Sequence, residues 1–364
     1  MQIAEIIAFL ESMAPPALQE HYDNAGLITG HASWPCTGII CSLDATEDVI
    51  SEAVANGCNM VVAHHPVIFG GLKKINGKNY VERTIIAAIK NDIAIYAIHT
   101  NLDNVIEGVN GRIAELLGLQ DTAILAPKAA TLKKLFTFVP VAQAEQVRAA
   151  IFSAGGGHIG HYSECSFNTE GAGTFKAEAG ADPYVGEPGR RHEEKEQKVE
   201  VIFPSFLENK IIAALKKAHP YEEVAYDIVA LSNPHPGIGS GVIGRLPEPV
   251  AEKTFLATLK SVFNLSVIRH TAFTGRPVTT VALCGGAGSF LVPHALGAGA
   301  DIYITADMKY HEFFDAEGRL LIADIGHYES EQFTINLLAE RLEQKFPTFA
   351  VRKTAVQTNP VLYF

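Results

Sequence analysis

The stretch Met60-Val61-Val62-Ala63-His64-His65-Pro66 combines an apolar run with two imidazoles at its end. Four consecutive apolar residues predict a strand that is covered on both faces, and Pro66 ends it directly after the histidine pair. Such strands are typical of open α/β sheets, in which ligands bind at the carboxyl ends of the strands. The stretch therefore predicts an α/β fold with a ligand-binding site at the carboxyl-terminal edge of its sheet.

Two further apolar segments end in the same way. One is followed by His99 and Asp103, and another, more than two hundred residues later, by His327 and Glu331. His327 and Glu331 are four residues apart where a helical pattern begins, so both lie on one face near the start of that helix. Because strand ends meet at one edge of such a sheet, we expect these side chains to converge on one crevice.

The converging side chains form a candidate metal site. Three imidazoles and two carboxylates are more donors than one catalytic tetrahedral ion with an open position would use, which suggests two ions that share a carboxylate. The donors are nitrogen and oxygen without thiolate, so zinc, manganese, iron and cobalt all remain open. The predicted ligands are His64, His65, Asp103, His327 and Glu331.

Two histidines outside this set are candidate catalytic residues. His99 lies four residues before Asp103 and is a candidate for proton transfer, substrate contact or support of a ligand; a buried histidine bonded to the backbone is the alternative. His311, with Asp307, follows a predicted strand at 301–304 on the same edge of the sheet. We interpret His311 and Asp307 as candidate proton shuttles or substrate contacts.

A glycine-rich segment, residues 282–289, follows a predicted strand and opens a helix. Its backbone amides could bind a phosphate, with the positive charge of Lys309 nearby. The segment has neither a Walker lysine nor the GxGxxG spacing, and a tight turn between strand and helix explains the same glycines. Both interpretations stay open.

Composition limits the class of protein. A chain of 364 residues, 48% hydrophobic and 19% charged, is folded and long enough for two or three domains. No apolar run approaches the roughly 18 residues of a membrane helix, and the start has no signal-peptide pattern, so we expect a cytoplasmic protein. The net charge of -11 disfavours nonspecific binding to nucleic acid. Five scattered cysteines without a CxxC pair argue against a disulfide framework.

The order of predicted elements divides the chain into three parts. Strands and helices alternate in the first and last parts, which predicts one discontinuous α/β domain with a mainly parallel sheet. The middle part has the order β-α-β-β-α-β of a ferredoxin-like α+β domain, with a long hairpin, residues 171–191, that we expect to project into solvent or toward a neighbouring subunit. The predicted bounds are 1–127 and 234–364 for the metal-binding domain and 128–233 for the inserted domain.

These motifs, in this order, resemble the Nif-three-like family, whose members are also named GTP cyclohydrolase 1 type 2 homologs. The middle part is similar to the CutA-like or PII-like insertion of the longer members, including its segments 155–160 and 219–223. The resemblance extends over nearly the whole chain. The matching segments are residues 21–27, 63–66, 99–103, 305–312 and 324–331.

The resemblance implies a dinuclear metal site with the same five ligands, a ring-shaped homohexamer with these sites facing an interior cavity, and GTP as substrate. The leading hypothesis is therefore a metal-dependent hydrolase that acts on a nucleotide or on another phosphorylated or heterocyclic compound. One alternative is a metal-storage, metal-delivery or regulatory ring assembly without catalysis. Another is an interaction module in which the PII-like insertion senses a small ligand and gates the ring.

Overall fold

The computed structural model describes residues 1–364 and separates them into two compact units. The first unit is discontinuous and consists of Met1–Pro127 and Pro236–Phe364, whereas the second is the continuous segment Lys128–His235. None of the helices has both the length and the apolar character needed to cross a lipid bilayer.

The secondary structure comprises eleven α-helices, fifteen strands and short 3-10 helices. The α-helices are α1 Ile3–Met13, α2 Glu47–Ala55, α3 Tyr80–Lys90, α4 Thr100–Asp103, α5 Val109–Leu116, α6 Ala144–Ser153, α7 Glu208–Ala218, α8 Glu252–Phe263, α9 Val292–Gly297, α10 His327–Glu331 and α11 Thr334–Lys345. The strands are β1 Gly26–Thr29, β2 Ile39–Ser42, β3 Met60–Ala63, β4 Ala94–Ala97, β5 Gln120–Pro127, β6 Leu132–Pro140, β7 Phe167–Lys176, β8 Arg191–Pro204, β9 Tyr226–Ala230, β10 Gly239–Val250, β11 Arg269–His270, β12 Val278–Ala287, β13 Ile302–Ala306, β14 Leu321–Asp324 and β15 Val351–Lys353. The 3-10 helices are Pro16–Leu18, Val141–Gln143, Ser205–Leu207, Ser289–Leu291 and Tyr310–Ala316.

The first sheet has five strands in the order β1-β4-β3-β2-β15. Its neighbours are parallel except for β1, which runs antiparallel to β4. Every residue of β2, β3 and β4 is buried, as their uninterrupted apolar runs predict. Helix α2 begins where the Thr46 side chain accepts a hydrogen bond from the Val49 amide, and α3 begins where Asn79 does the same for Glu82.

The second sheet has six strands in the order β11-β14-β13-β12-β10-β5. Strands β12, β13 and β14 are parallel, but the other three pairs are antiparallel, so this sheet is mixed. The sequence analysis did not predict β5 or β10. Strand β10 contains three glycines and two prolines, which weaken the local strand signal, and its pairing with β12 and β5 holds it in the sheet.

The two sequence halves of the first unit interlock. The C-terminal strand β15 joins the first sheet beside β2, and β5, from the N-terminal half, joins the second sheet beside β10. One hydrophobic core contains Ile39 and Met60 of the first sheet together with Val281 and Ile302 of the second. Residues on opposite sides of the 128–235 segment therefore belong to a single packed body.

The second unit has the chain order β6-α6-β7-β8-α7-β9 and the sheet order β7-β8-β6-β9, with every neighbouring pair antiparallel. Helices α6 and α7 cover one face, where Val147 and Ile211 pack against Leu135 and Val201 of the strands. The sequence pattern predicts two extended segments here, at 160–168 and 172–178; the structure has a single strand, β7, which spans Phe167–Lys176 and overlaps both.

Candidate metal centre

The five predicted ligands lie together at the carboxyl ends of strands from both sheets. His64 and His65 follow β3, Asp103 ends the short helix after β4, and the helix after β14 begins with His327 and ends with Glu331. Helix α10 brings Glu331 next to His64 and His65, the imidazoles of the first half. The structure thus assembles in one place residues that are up to 267 positions apart in sequence, from His64 to Glu331 (331 − 64).

The Glu331 carboxylate divides these side chains into two groups. Its Oε2 lies 3.0 Å from His65 Nε2 and 3.1 Å from His327 Nε2. Its Oε1 lies 3.9 Å from His64 Nε2, which is itself 3.6 Å from Asp103 Oδ1. In each group the ligand atoms lie within 4.8 Å of one another, close enough to hold a metal ion, and the same is true of a third group formed by His64, His65 and His99.

Two buried atoms of the cluster have no hydrogen-bond partner. His64 is fully buried and its Nδ1–H donates to the carbonyl of Ile98 at 2.8 Å, which leaves Nε2 as an unprotonated lone pair. This Nε2 and Oδ1 of Asp103 are both without a hydrogen-bond partner. Buried polar atoms are rarely left unsatisfied, and a cation between these two would satisfy both. The donor set therefore fits a divalent metal ion.

The environment separates the protonation states of the histidines. Burial lowers the pKa of His64 to about 3, which keeps its imidazole neutral. Burial also disfavours the charged forms of His65 and His327. Hydrogen bonds to carboxylates outweigh this effect and raise the pKa of His65 to about 10 and that of His327 to about 9. Because a metal ion requires a free imidazole lone pair, its binding displaces protons from His65 and His327.

The two carboxylates of the cluster have opposite pKa shifts. Burial and the nearby charge of Glu331 raise the pKa of Asp103 well above its usual value. Burial acts in the same direction on Glu331, but hydrogen bonds with His327 and His65 outweigh it and hold the Glu331 pKa well below its usual value. Glu331 is therefore the negative charge around which the imidazoles gather.

Carboxylates outside the cluster orient two of the imidazoles. Asp44 accepts a hydrogen bond from His65 Nδ1 at 2.8 Å, and Asp307 accepts one from His327 Nδ1 at 2.7 Å. The Thr358 hydroxyl donates to the other oxygen of Asp44 at 2.7 Å. Such pairs fix the tautomer so that Nε2 faces the site. The sequence analysis missed Asp44, although an acidic residue just after a buried strand at the same edge is the signal that it used elsewhere.

His99 is also oriented by a carboxylate. Its Nδ1 donates to Asp23 Oδ1 at 2.8 Å, and its ring centroid lies 5.3 Å from that of His64. Asp23 also accepts from the backbone and hydroxyl of Thr100. Burial raises the pKa of Asp23, but the bonds with His99 and Thr100 outweigh it and lower that pKa strongly. From the sequence, Asp23 is named only within the matching segment 21–27; its role as a partner of His99 is not predicted, because the two residues are 76 positions apart.

The structure does not bring His311 to the cluster. Its side chain is exposed on the 3-10 helix Tyr310–Ala316, and its ring packs against Tyr310 and Phe314. It lies outside the walls of both cavities that border the ligand set. A strand-edge position placed Asp307 at the site, but the helical turn that follows carries His311 away. A catalytic role for His311 stays a prediction.

The glycine-rich segment 282–289 touches the site in a different way from a phosphate loop. The amide of Gly285 donates to Asn110 Oδ1 and the amide of Gly286 to Ser330 Oγ, both at 2.9 Å. These two amides are thus already satisfied within the protein. Gly286 has a φ of +62°, and a Cβ there would lie 2.3 Å from Glu331 Oε1. The glycine therefore makes room for the carboxylate.

A cavity of about 860 Å³ opens over the cluster. Its walls include all predicted ligands except His64, together with His99 and Asn110. Several exposed aromatic side chains line it as well, and Thr358 and Pro360 of the C-terminal segment border it. A volume of this size accommodates a small organic molecule. The aromatic side chains are Tyr22, Phe69, Tyr80 and Phe290.

The family resemblance is confirmed by comparison with known proteins. The model of the family Duf34/NIF3 (NGG1p interacting factor 3) matches residues 1–360. The chain is 39% identical over 366 residues to the GTP cyclohydrolase 1 type 2 homolog of Halalkalibacterium halodurans, with 98% of each chain covered. It is 40% identical over 326 residues to the protein of the same name from Bacillus subtilis, covering 89% of this chain and 87% of that one.

A solved structure agrees with these matches. The crystal structure of a Bacillus cereus protein related to NIF3 is 39% identical and has a TM-score of 0.87, covering 100% of this chain and 99% of that chain. The sequence match and the structural match both extend over nearly the full length, including the segments that carry the cluster. The chain therefore belongs to the Duf34/NIF3 family.

Proposed function

We propose that the chain is a hydrolase with two divalent metal ions bridged by Glu331. The observation that carries this proposal is the position of the Glu331 carboxylate, whose two oxygens face separate sets of donors. His65 and His327 would hold one ion, and His64 and Asp103 the other. When bound, such a pair lowers the pKa of water and polarises a substrate oxygen. Zinc, manganese, iron and cobalt all suit these donors.

His99 is the proposed proton-transfer residue. Its Nδ1 is held by Asp23, so Nε2 is the nitrogen that can accept and return a proton. The residue lines the large cavity beside the ligand set. Asp23 keeps the imidazole in one tautomer and orientation, as a carboxylate does for histidine in other proton-transfer pairs.

The substrate class follows from the cavity and from the names of the relatives. Aromatic rings at the rim, including Phe69 and Phe290, suit the flat face of a heterocycle. The relatives named GTP cyclohydrolase 1 type 2 homolog point to GTP as the first compound to test. A phosphorylated or heterocyclic substrate is therefore the proposed class, and GTP its first member.

Metal storage, delivery or regulation without catalysis is the second candidate function. One observation favours it: the His327 side chain is 39% exposed at the edge of the cluster. A ligand that solvent reaches permits exchange of the ion with another protein. Rapid transfer of metal to a chelator, together with no turnover of any substrate, is the result that this second candidate requires.

We also propose that the second unit is a ferredoxin-like, CutA-like or PII-like inserted domain. Its β-α-β-β-α-β order and the sheet order β7-β8-β6-β9 support this assignment. The family further suggests a ring-shaped homohexamer, and we expect native mass spectrometry to give six copies of the 39.2 kDa chain. A different subunit number in gently purified protein would contradict the ring.

We expect about two metal ions per wild-type chain by elemental analysis. Glu331→Ala should lose nearly all metal because it removes the shared carboxylate, and His64→Ala should lose at least one ion. His294→Ala is the matched control, since this histidine is exposed on α9 and belongs to none of the donor groups. Little metal in wild-type protein after reconstitution, or full metal in Glu331→Ala, would overturn the two-metal site.

Substitution of Gly286 tests how closely the backbone supports the site. The added Cβ of Gly286→Ala would lie 2.3 Å from Glu331 Oε1, so the carboxylate must shift and metal affinity should fall at least about tenfold, or about 1.4 kcal/mol. Gly118→Ala is the control. Gly118 has a similar φ, +65°, but no atom lies within 4 Å of its added Cβ, so this variant tests the effect of backbone strain without the contact to Glu331. Chelator competition measures both affinities. Equal affinity in the two variants would contradict the close contact.

Catalysis is tested with GTP and protein loaded with each of the four metals. We expect turnover that is lost in His64→Ala and His327→Ala. His99→Gln should keep its metal but turn over about 10²–10⁴-fold more slowly, since it removes proton transfer and leaves the ligands in place. His311→Ala is assayed in parallel, and slower turnover in this variant is the result that a catalytic role for His311 requires. Absence of GTP turnover with every metal would rule out the cyclohydrolase form of the proposal.

A further inference from the structure

A third cavity, of about 620 Å³, lies wholly within the second unit. It sits on the face of the four-stranded sheet that helices α6 and α7 leave uncovered. Side chains alternate between faces along each strand, so Val139 and Val199 pack under the helices while Phe138 and Lys198 line the cavity. The function proposed above makes no use of this cavity.

The loop between β7 and β8 covers one side of the cavity. Residues of this loop, among them Ala181 and Tyr184, line the cavity, and whether the hairpin also meets solvent or a neighbouring subunit stays a prediction. The Asp182 amide donates to Glu222 Oε1 at 3.1 Å, and the Tyr184 hydroxyl accepts from Gln143 Nε2 at 3.1 Å. These contacts hold Tyr184 at the cavity, whose lining residues all belong to the second unit.

Three aromatic rings form a wall of the cavity. The ring centroids of Phe175 and Tyr221 are 5.9 Å apart, and those of Tyr184 and Tyr221 are 6.2 Å apart. Tyr221 belongs to the segment 219–223 that the sequence analysis singled out, and its amide donates to His219 Nδ1 at 3.1 Å. The faces of aromatic rings carry partial negative charge and attract cations.

A buried carboxylate faces these rings. Glu196 is 8% exposed, and its Oε1 accepts a hydrogen bond from the Tyr221 hydroxyl at 2.9 Å. Its other oxygen lies over Gly173, where a Cβ would be 2.0 Å away, so only glycine leaves room for this carboxylate. The backbone of β7 is thus shaped around Glu196.

Glu196 has no cationic partner within the chain. The two lysines of the cavity pair with other carboxylates: Lys198 Nζ lies 2.9 Å from Glu200 Oε1, and Lys176 Nζ lies 3.7 Å from Glu178 Oε1. A carboxylate that is buried beside aromatic rings without a counter-charge is costly. A positively charged ligand would supply the missing partner.

We propose that this cavity binds a small organic cation, with the rings of Phe175, Tyr184 and Tyr221 around its charged group and Glu196 as counter-ion. An alkylated ammonium group has the required combination of positive charge and apolar surface. Three more carboxylates line the cavity and would repel the phosphates of a nucleotide. They are Glu178, Glu222 and Glu223.

The probe is choline, and its neutral isostere 3,3-dimethyl-1-butanol is the control, each titrated calorimetrically into the full-length protein. We expect saturable choline binding at one site per chain and at least about tenfold weaker binding of the isostere, because only choline carries the charge. Glu196→Gln should weaken choline binding at least about tenfold. Glu193→Gln, the same change at an exposed position of β8, should leave it unchanged.

A second variant guards against misfolding as an explanation. Tyr184→Ala removes one ring from the covering loop and should weaken choline binding while circular dichroism and metal content stay as in wild type. The proposal is overturned if choline does not bind saturably, if Glu196→Gln binds choline as tightly as wild type, or if ATP binds at this cavity more tightly than choline. Loss of choline binding in Glu331→Ala would place the ligand at the metal centre and would also overturn it.

Discussion

The buried carboxylate of Glu331, held among three imidazoles, is the interaction on which the first unit depends. Its side chain is 3% exposed and lies within 3.1 Å of His65 and His327. A charge that deep is tolerated only beside groups of opposite charge or hydrogen-bond donors. His65 comes from the first half of the chain and Glu331 from the second, so the halves must pack together. The exchanged strands β5 and β15 and the common core provide that packing.

Three of the histidines at the site share one design. His65, His327 and His99 each direct Nδ1 to an aspartate, whereas His64 directs Nδ1 to a backbone carbonyl. The effect is the same in every case, since the tautomer is fixed and Nε2 is the free position. His65 and His327 point this nitrogen at Glu331, whereas His99 is grouped with His64 and His65 and with neither carboxylate of the cluster. That difference is the reason for assigning ligation to the first two and proton transfer to His99.

The two units use glycine for the same purpose at their cavities. Gly286 leaves room for Glu331 in the first unit, and Gly173 leaves room for Glu196 in the second. In both places a carboxylate lies against bare backbone and lines a cavity. The surroundings differ, because Glu331 meets nitrogen donors that suit a metal ion and Glu196 meets aromatic rings that suit an organic cation.

Local patterns were enough to predict the helices and parallel strands around the site and the five side chains that the structure brings together. Position at a strand end depends on the apolar run before it, as for His64 after β3, and that run is visible in the sequence. Tertiary structure decided the rest. It placed strands β5 and β10 in the second sheet, set Asp44 beside His65 and Asp23 beside His99, and left His311 exposed away from the cluster. Their signals lie in contacts between distant segments. Pairing and burial across the sheets set those contacts, and no short stretch of residues records them.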